Sequence, residues 1–320
     1  MELQSRESRL VHVAELYYEQ GMSQQKIAGL LGLSRPTVSR LLEEARACGV
    51  VEIVVHAPLR KQAELSARLR RELGLRDAVV VAGRSDRDRA LHRCAQAAAE
   101  AFLALLESGM TVGIAWGRAL RAFCGQIPAQ QHIFQVQVVQ MIGCLGTGNP
   151  QLDGLELSLT LAKKLNGTFR NVYAPVYVES ELVQSYLLRE PSVALAIRQG
   201  ERADIVVTGV GSLWDREGSL YRAGYFTEQD REELTAAGAA AVIQGRLLDR
   251  NGREIEVPGR YVVGCPLEAT RRASWRIGIN AGAGRAVETL AAVRGGCVNL
   301  LVVDEPLAEE LLALNKTEEN

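Results

Sequence analysis

From residue 78 onward the sequence repeats one pattern, a short continuous run of β-branched and aliphatic residues followed by a longer stretch with helical periodicity. The apolar runs are Ala78 to Ala82, Thr111 to Ala115, Val136 to Ile142, Asn171 to Pro175, Asp204 to Gly209, Arg276 to Asn280 and Val298 to Val303. Helices are read over Asp88 to Leu106, Gly117 to Gln126, Leu155 to Leu165, Glu228 to Ala237, Gly284 to Val293 and Pro306 to Leu314. A strand that is apolar on both faces must be covered on both, and a parallel neighbour needs a crossover long enough to hold a helix. The pattern predicts a doubly wound, mostly parallel α/β domain over residues 76–320, with ligand sites beyond the carboxyl ends of its strands.

Residues 1–57 break this pattern and predict a separate all-α domain of helix-turn-helix, winged type. An amphipathic helix from Arg9 to Gln20 carries Leu10, Val13, Ala14, Leu16 and Tyr17 on one side. Ser23 can cap a second helix, Gln24 to Leu31, in which Ile27, Leu30 and Leu31 point one way and the small Ala28 leaves room for a crossing helix. Gly32 supplies the turn. Ser34 caps a third helix opened by Arg35, Pro36 and Thr37, where the missing proline N–H costs nothing. Val38, Leu41, Leu42 and Ala45 fill its buried side, and the exposed side begins with Arg35, Thr37, Ser39 and Arg40. Short hydroxyls and guanidinium forks suit the phosphates and base edges of a major groove. With Ser23, Gln24 and Ser34 they form the candidate DNA-contacting set, so double-stranded operator DNA is the expected partner. After Gly49 the β-branched run Val50 to Val55 predicts a strand or wing.

Two capped helices across a glycine also occur as an ordinary αα-hairpin. The first 60 residues hold seven basic and seven acidic side chains, so DNA affinity has to come from positioned contacts and several copies rather than from net charge. The whole chain, 320 residues with a net charge of −1, excludes a polycationic nucleic-acid coat protein and leaves a targeted binder or an enzyme. Its six cysteines, Cys48, Cys94, Cys124, Cys144, Cys265 and Cys297, show no metal-ligand spacing and read as small hydrophobes of a reducing cytosol. No metal or cofactor is expected. Met1 to Arg9 lacks an apolar signal core and no apolar run reaches membrane-spanning length, so a soluble, cytoplasmic protein without membrane partners is expected. Pro58 and the basic amphipathic helix Leu59 to Leu73 predict a linking or subunit-pairing segment over 58–75.

Glycines gather where the strands end. Thr111 to Arg118 reads as strand, glycine turn and helix, which aims backbone N–H groups and a helix dipole at one place and invites a phosphate or another anion. Gly143 to Gly148, Gly209 to Gly211 and Gly282 to Gly284 repeat the arrangement. One tight βα turn needs glycine for its own backbone, but four on one rim point to a small anionic ligand.

Along nearly its whole length this chain resembles the SorC family of sugar-responsive bacterial transcriptional regulators. The carriers are Leu16 to Gln24, Val38 to Leu42, Gly113 to Gly117, Ala203 to Val206 with Gly209 to Ser212, and Gly295 to Asp304. The resemblance implies a helix-turn-helix joined to an effector domain related to sugar-phosphate isomerases and glucosamine-phosphate deaminases, assembled as a homodimer or homotetramer. It implies a phosphorylated sugar or polyol as effector, with Trp116 lining the pocket and Thr147 and Asn149 binding ligand hydroxyls or phosphate. Ser219 and Arg222 would face the effector, and Arg285 stands where the family commonly has a phosphate-binding lysine, exchanging a point charge for a planar fork. Gly113, Gly117, Arg118, Gly143, Gly211 and Gly282 complete the effector-binding set. A further departure lies at Gly238 to Val242, which reads Gly-Ala-Ala-Ala-Val where the family commonly has Gly-Ala-Val-Gly-Asp. Either the effector is less hydroxylated at that end, or Asp215 or Glu217 replaces the lost acceptor, or binding is weakened or lost.

The rival class is a sugar-phosphate isomerase or deaminase with an accessory N-terminal domain. Such catalysis needs an acid/base pair beside the sugar carbonyl. None of His12, His56, His92 and His132 lies at a predicted strand end beside a glycine turn, and of the candidate acids Asp153 and Glu156 the former reads as a helix cap. The expectation is a regulator without catalytic residues, in which effector binding changes the subunit arrangement and thereby operator affinity.

Overall fold

The computed structural model describes residues 6–48, 50–51, 59–84, 86–146 and 154–319, and it divides into two compact units, Met1–Pro58 and Leu59–Asn320. In the first, helix Arg6–Ala14 runs on into a π-helical turn, Glu15–Glu19, before helices Gln24–Leu31 and Arg35–Ala47. Ser23 Oγ accepts from the Lys26 N–H and Ser34 Oγ from the Thr37 N–H, both at 3.3 Å, so each helix starts on the hydroxyl read as its cap. Gly32 closes the turn between them at φ +63°, a backbone region that disfavours side chains. Val13, Leu16, Ile27, Ala28, Val38 and Leu42 form the core.

Leu30, expected on the inner face, is instead 61 % exposed. At 100° per residue Ile27, Ala28 and Leu31 share one arc, and Leu30 falls roughly 110° from its middle. Val50 and Val51 pack near Leu10, Ala14 and Ala45, and the remainder of the expected wing lies outside the described residues.

The second unit holds β1 (Asp77–Val81), β2 (Thr111–Ile114), β3 (Gln137–Gln140), β4 (Thr168–Arg170), β5 (Tyr177–Val178) and β6 (Ile205–Gly209). After these come β7 (Ala241–Ile243), β8 (Arg246–Leu248), β9 (Glu254–Ile255), β10 (Tyr261–Val262), β11 (Trp275–Ile279) and β12 (Leu300–Asp304). Seven of them make one sheet in the order β1-β12-β11-β6-β2-β3-β4, with parallel pairing throughout. Successive side chains leave a strand on opposite faces. Accordingly Leu300 and Val302 join the layer under helices Arg87–Leu105, Arg118–Gln126 and Gly154–Lys164, and Leu301 and Val303 join the layer under Ala63–Glu72, Ala286–Arg294 and Glu305–Glu319. The mostly parallel α/β sheet covered on both faces is the architecture that the continuous apolar runs require.

Three local differences from the sequence reading have physical causes. The segment expected to link the domains contains helix Ala63–Glu72, whose Leu69 is fully buried in the core of the second unit. The sheet ends on β4, not on Asn171 to Pro175, because Ala174 and Val176 bond the backbone of Cys144 and Asn171 bonds the Ser158 hydroxyl. Small antiparallel sheets, β7-β8-β9 and β5-β10, are inserted in stretches too short for periodicity to register.

Candidate nucleic-acid interface and effector pocket

The exposed start of helix Arg35–Ala47 presents Arg35 and Arg40 to solvent, and among the described residues neither guanidinium has an ion pair. Ser34 and Thr37 share a hydroxyl–hydroxyl bond of 2.8 Å, which fixes both side chains at the helix N-terminus, and Ser39 lies half-buried behind them. Ser23 and Gln24 sit at the start of the preceding helix. Free cations and hydroxyls held at the helix N-terminus together form a surface able to take phosphates and base edges.

In the second unit, β2 and β6 are neighbours whose chains leave in opposite directions, β2 towards β3 and β6 towards β11. This topological switch point opens a crevice at the carboxyl ends of the strands. A cavity of about 120 Å³ lies there, lined by the turn Trp116 to Arg118, by Thr208 to Ser212, by Ser219 and Tyr221, and by Val242 and Gln244. Trp116 Nε1 donates to the Gly143 carbonyl at 2.9 Å, which holds the indole against the wall. Gly117, at φ +120°, caps helix Arg118–Gln126 without any side-chain cap bond, and a Cβ there would stand 3.4 Å from Ser219 Oγ. The first turn of that helix keeps N–H groups for a ligand.

The charge at the rim is concentrated on one atom. Asp215 Oδ2 lies 2.8 Å from Arg87 Nη1, 2.6 Å from Arg118 Nη2 and 3.1 Å from Arg285 Nη2. Its other oxygen accepts from the Glu217 N–H at 3.1 Å and closes its own turn. Burial alone would raise the Asp215 carboxyl, but the Arg87 hydrogen bond and the charges of Arg87, Arg285 and Arg118 hold it below the usual carboxylate value. Arg285 is shared with Glu288 at 3.2 Å, and Arg118 with the exposed Asp88 at 3.8 Å. Burial raises the Glu288 carboxyl despite Arg285.

Gln244 occupies the opposite wall. It is 4 % exposed and held at φ +48°, a conformation costly for a residue with a side chain. Its Oε1 accepts from the Thr270 hydroxyl at 3.1 Å, while its Nε2 is buried without a partner among the described residues.

The fold thus brings Trp116, Gly117, Arg118, Gly211, Ser219 and Arg285 to one site. Gly113 packs inside β2, where a Cβ would stand 2.6 Å from Met141 Sδ, and Gly143 lies under the Pro175 carbonyl, so both serve packing. Gly282 backs the site from behind, where a Cβ would stand 3.1 Å from Arg87 Cγ. Arg222 is exposed and outside the lining, because the short helix Ser219–Arg222 turns Ser219 and Tyr221 inward instead. Thr147 and Asn149 lie outside the described residues. Of the two candidate replacement acids, Asp215 lines the cavity and Glu217 is exposed. Sequence reasoning missed Arg87 and Gln244. Arg87 hides in the run Asp86 to Arg89, which reads as a solvated charge cluster, and Gln244, in the turn after β7, carries no local signal.

A trihelical DNA-reading unit joined to an α/β unit with a cation-rimmed pocket at its strand ends defines a class, the ligand-responsive transcription regulators. Residues 57–313 match the family model of the sugar-binding domain, and residues 4–50 match that of the homeodomain-like domain. The chain belongs to this sugar-binding family of transcriptional regulators, the SorC family. It is 29 % identical over 308 residues to the sorbitol operon regulator of Klebsiella pneumoniae, covering 95 % of this chain and 97 % of that protein. It is 28 % identical over 304 residues to the deoxyribonucleoside regulator of Bacillus subtilis, covering 94 % and 96 %. The crystal structure of the full-length sorbitol operon regulator SorC from Klebsiella pneumoniae matches with a TM-score of 0.73 at 29 % identity, over 95 % of this chain and 98 % of that one. Among the described residues no helix is long and apolar enough to cross a membrane.

Proposed function

We propose that this regulator binds a small phosphorylated sugar or polyol in the crevice between β2 and β6, and that the bound effector changes subunit arrangement and operator affinity. The observation that carries the phosphate is the convergence of Arg87, Arg118 and Arg285 beside the open first turn of helix Arg118–Gln126. Trp116 and Val242 supply apolar walls, Ser219 a hydroxyl, and the unpaired Gln244 Nε2 a donor for a ligand oxygen. Val242 in place of an acceptor suits an effector that is less hydroxylated at that end. Relatives named the sorbitol operon regulator and the deoxyribonucleoside regulator support a sugar or polyol skeleton.

In the DNA-binding unit, Arg35 and Arg40 would read base edges and phosphates, with Ser23, Gln24, Ser34, Thr37 and Ser39 positioning the helix on the backbone. A homodimer or homotetramer would set the spacing between paired recognition helices. A binding role rather than an isomerase or deaminase role is supported by the pocket chemistry. Among the described residues the lining holds no histidine or lysine, and its single carboxylate, Asp215, is bound by three guanidiniums instead of standing free as a base.

The test is thermal melting and operator binding of the full chain with phosphorylated sugars and polyols against the same compounds unphosphorylated. A ligand that binds only the folded state raises its melting temperature. A phosphorylated compound should do so and change operator affinity at least ~10-fold, within the usual range of coupling between sites. Stabilisation by unphosphorylated compounds alone would overturn the phosphate assignment.

A further inference from the structure

We propose that Asp215 is an internal anion which occupies the phosphate position of the ligand-free protein, and that effector binding requires its phosphate group to displace this carboxylate from Arg87, Arg118 and Arg285. The inference rests on the effector reading above and adds a competitor that belongs to the chain itself.

The geometry argues for a stand-in. A carboxylate oxygen offers two lone pairs, yet Asp215 Oδ2 receives three guanidinium groups within 3.1 Å. Three cations crowded on one oxygen are better served by a phosphate, which presents several oxygens to the same forks. Arg87 still has a buried Nε without a partner among the described residues, so its donors are not used up. Asp88 and Glu288 offset part of the charge, but Asp88 touches Arg118 only at 3.8 Å from an 84 % exposed position. Asp215 is therefore the carboxylate shared by all three guanidiniums.

The carboxylate also ties down a segment. Asp215 stands between Leu213 and Leu220, both buried over the cavity, and next to Trp214, which is 57 % exposed with Arg231 stacked 4.5 Å from its ring. Exchanging the carboxylate for a ligand phosphate removes its hold on the turn Asp215 to Gly218 while the buried Leu213 and the Arg216–Glu228 pair keep the flanks in place, so occupancy of the pocket is converted into a local change beside Trp214. The ligand's charge and the protein's own charge compete for one place, which sets a lower bound on the charge of an effective ligand. A dianion wins this competition and a neutral sugar does not.

The experiment uses inorganic phosphate as probe on the full chain, with calorimetric titration of the wild type and of Asp215→Asn. The amide keeps the shape and removes the charge, so phosphate should bind the variant at least ~10-fold more tightly, whereas a neutral polyol such as sorbitol should bind both alike. Measurable but equal phosphate binding in the two proteins overturns the internal anion and leaves the phosphate site standing. No phosphate binding in either protein overturns both. Should Asp215→Asn fail to fold, the wild type carries the test through Trp214. Saturating phosphate must change its emission, with the signal lost in Trp214→Phe, and saturation without any change overturns the displacement.

Discussion

The two units treat their cations in opposite ways. On the recognition helix, Arg35 and Arg40 stand in solvent without an ion pair among the described residues, whereas in the pocket Arg87, Arg118 and Arg285 are gathered around a carboxylate that is only 10 % exposed. The difference follows from what each surface must meet. DNA arrives with its own dense charge and a groove that orients the protein, so free side chains on a rigid helix suffice. A small ligand has to be recognised by enclosure, and guanidiniums held close together inside a wall need an anion even when the ligand is absent. On the proposed reading, operator affinity is limited by screening in solvent and effector affinity by competition inside the fold.

Separate cores allow the two functions to be broken one at a time, and the largest effect is expected in the smaller core. Val38 is fully buried among Val13, Leu16, Ile27, Ala28 and Leu42. Val38→Asp buries an unpaired charge there and should cost more than about 4 kcal/mol, enough to unfold a unit of this size. Operator binding should vanish in a gel-shift titration while the effector-induced rise in melting temperature of the α/β unit persists. Loss of both would show that the two units do not fold independently.

A smaller and more selective break is Arg40→Ala. A bidentate contact to a base is worth about 1–3 kcal/mol of discrimination, so the preference for operator over random DNA should fall roughly 10- to 100-fold. Effector titrations should superpose on those of the wild type. Retained discrimination would move base reading to Arg35 and leave Arg40 on the phosphates.

How far each region could be read from sequence follows the same division. The helix-turn-helix is local, so Ser23, Gly32, Ser34 and Pro36 announced its caps and turn, and only Leu30 fell on the wrong side of its helix. The sheet was legible because strands buried on both faces are apolar along their length, as Leu300 to Val303 are. In the pocket the glycine turns marked Gly117 and Gly211 together with the neighbouring Arg118, and the family resemblance pointed to Trp116, Ser219 and Arg285. Its charged half was partly hidden, since Arg87 reads as one charge in a solvated cluster and meets Asp215, Arg118 and Arg285 only through the crossing of parallel strands. Gln244 could not be found at all, because its positive φ and unpaired amide are properties of three-dimensional packing.

Gln244 gives a third way to sharpen the comparison, at an intermediate size. Gln244→Met keeps the length and removes the donor that has no partner in the ligand-free protein. A lost hydrogen bond to a bound ligand is worth about 1 kcal/mol, so effector affinity should fall roughly 5- to 10-fold. The melting temperature without ligand should fall by only a few degrees, the cost of leaving the buried Thr270 hydroxyl without its acceptor. Unchanged affinity in a calorimetric titration would remove Gln244 from the site.

The smallest effect is expected from pH and separates the pocket from the DNA surface without any change to the latter. Guanidiniums do not titrate in the accessible range, so the groups to follow are carboxylates. At Asp215 burial opposes the charge, but the Arg87 hydrogen bond and the three guanidinium charges win, and its folded carboxyl is held below the usual value. A group depressed in this way contributes stability that is fully present above its unfolded pKa of about 3.9 and is lost as pH falls through the lower folded value. The tie on the turn Asp215 to Gly218 should therefore be complete at neutral pH and still complete at about pH 5, and should release only in stronger acid, below the ordinary carboxylate range. Glu288, raised by burial, runs the other way and favours the fold when protonated, so its contribution fades as pH rises through its folded value. Trp214 emission followed from neutral to acid pH should show the release in the wild type and no such step in Asp215→Asn. The same transition in both proteins would assign the acid sensitivity to a carboxylate other than Asp215, and a wild-type transition above about pH 5 would mean that the guanidiniums do not hold that carboxylate in solution.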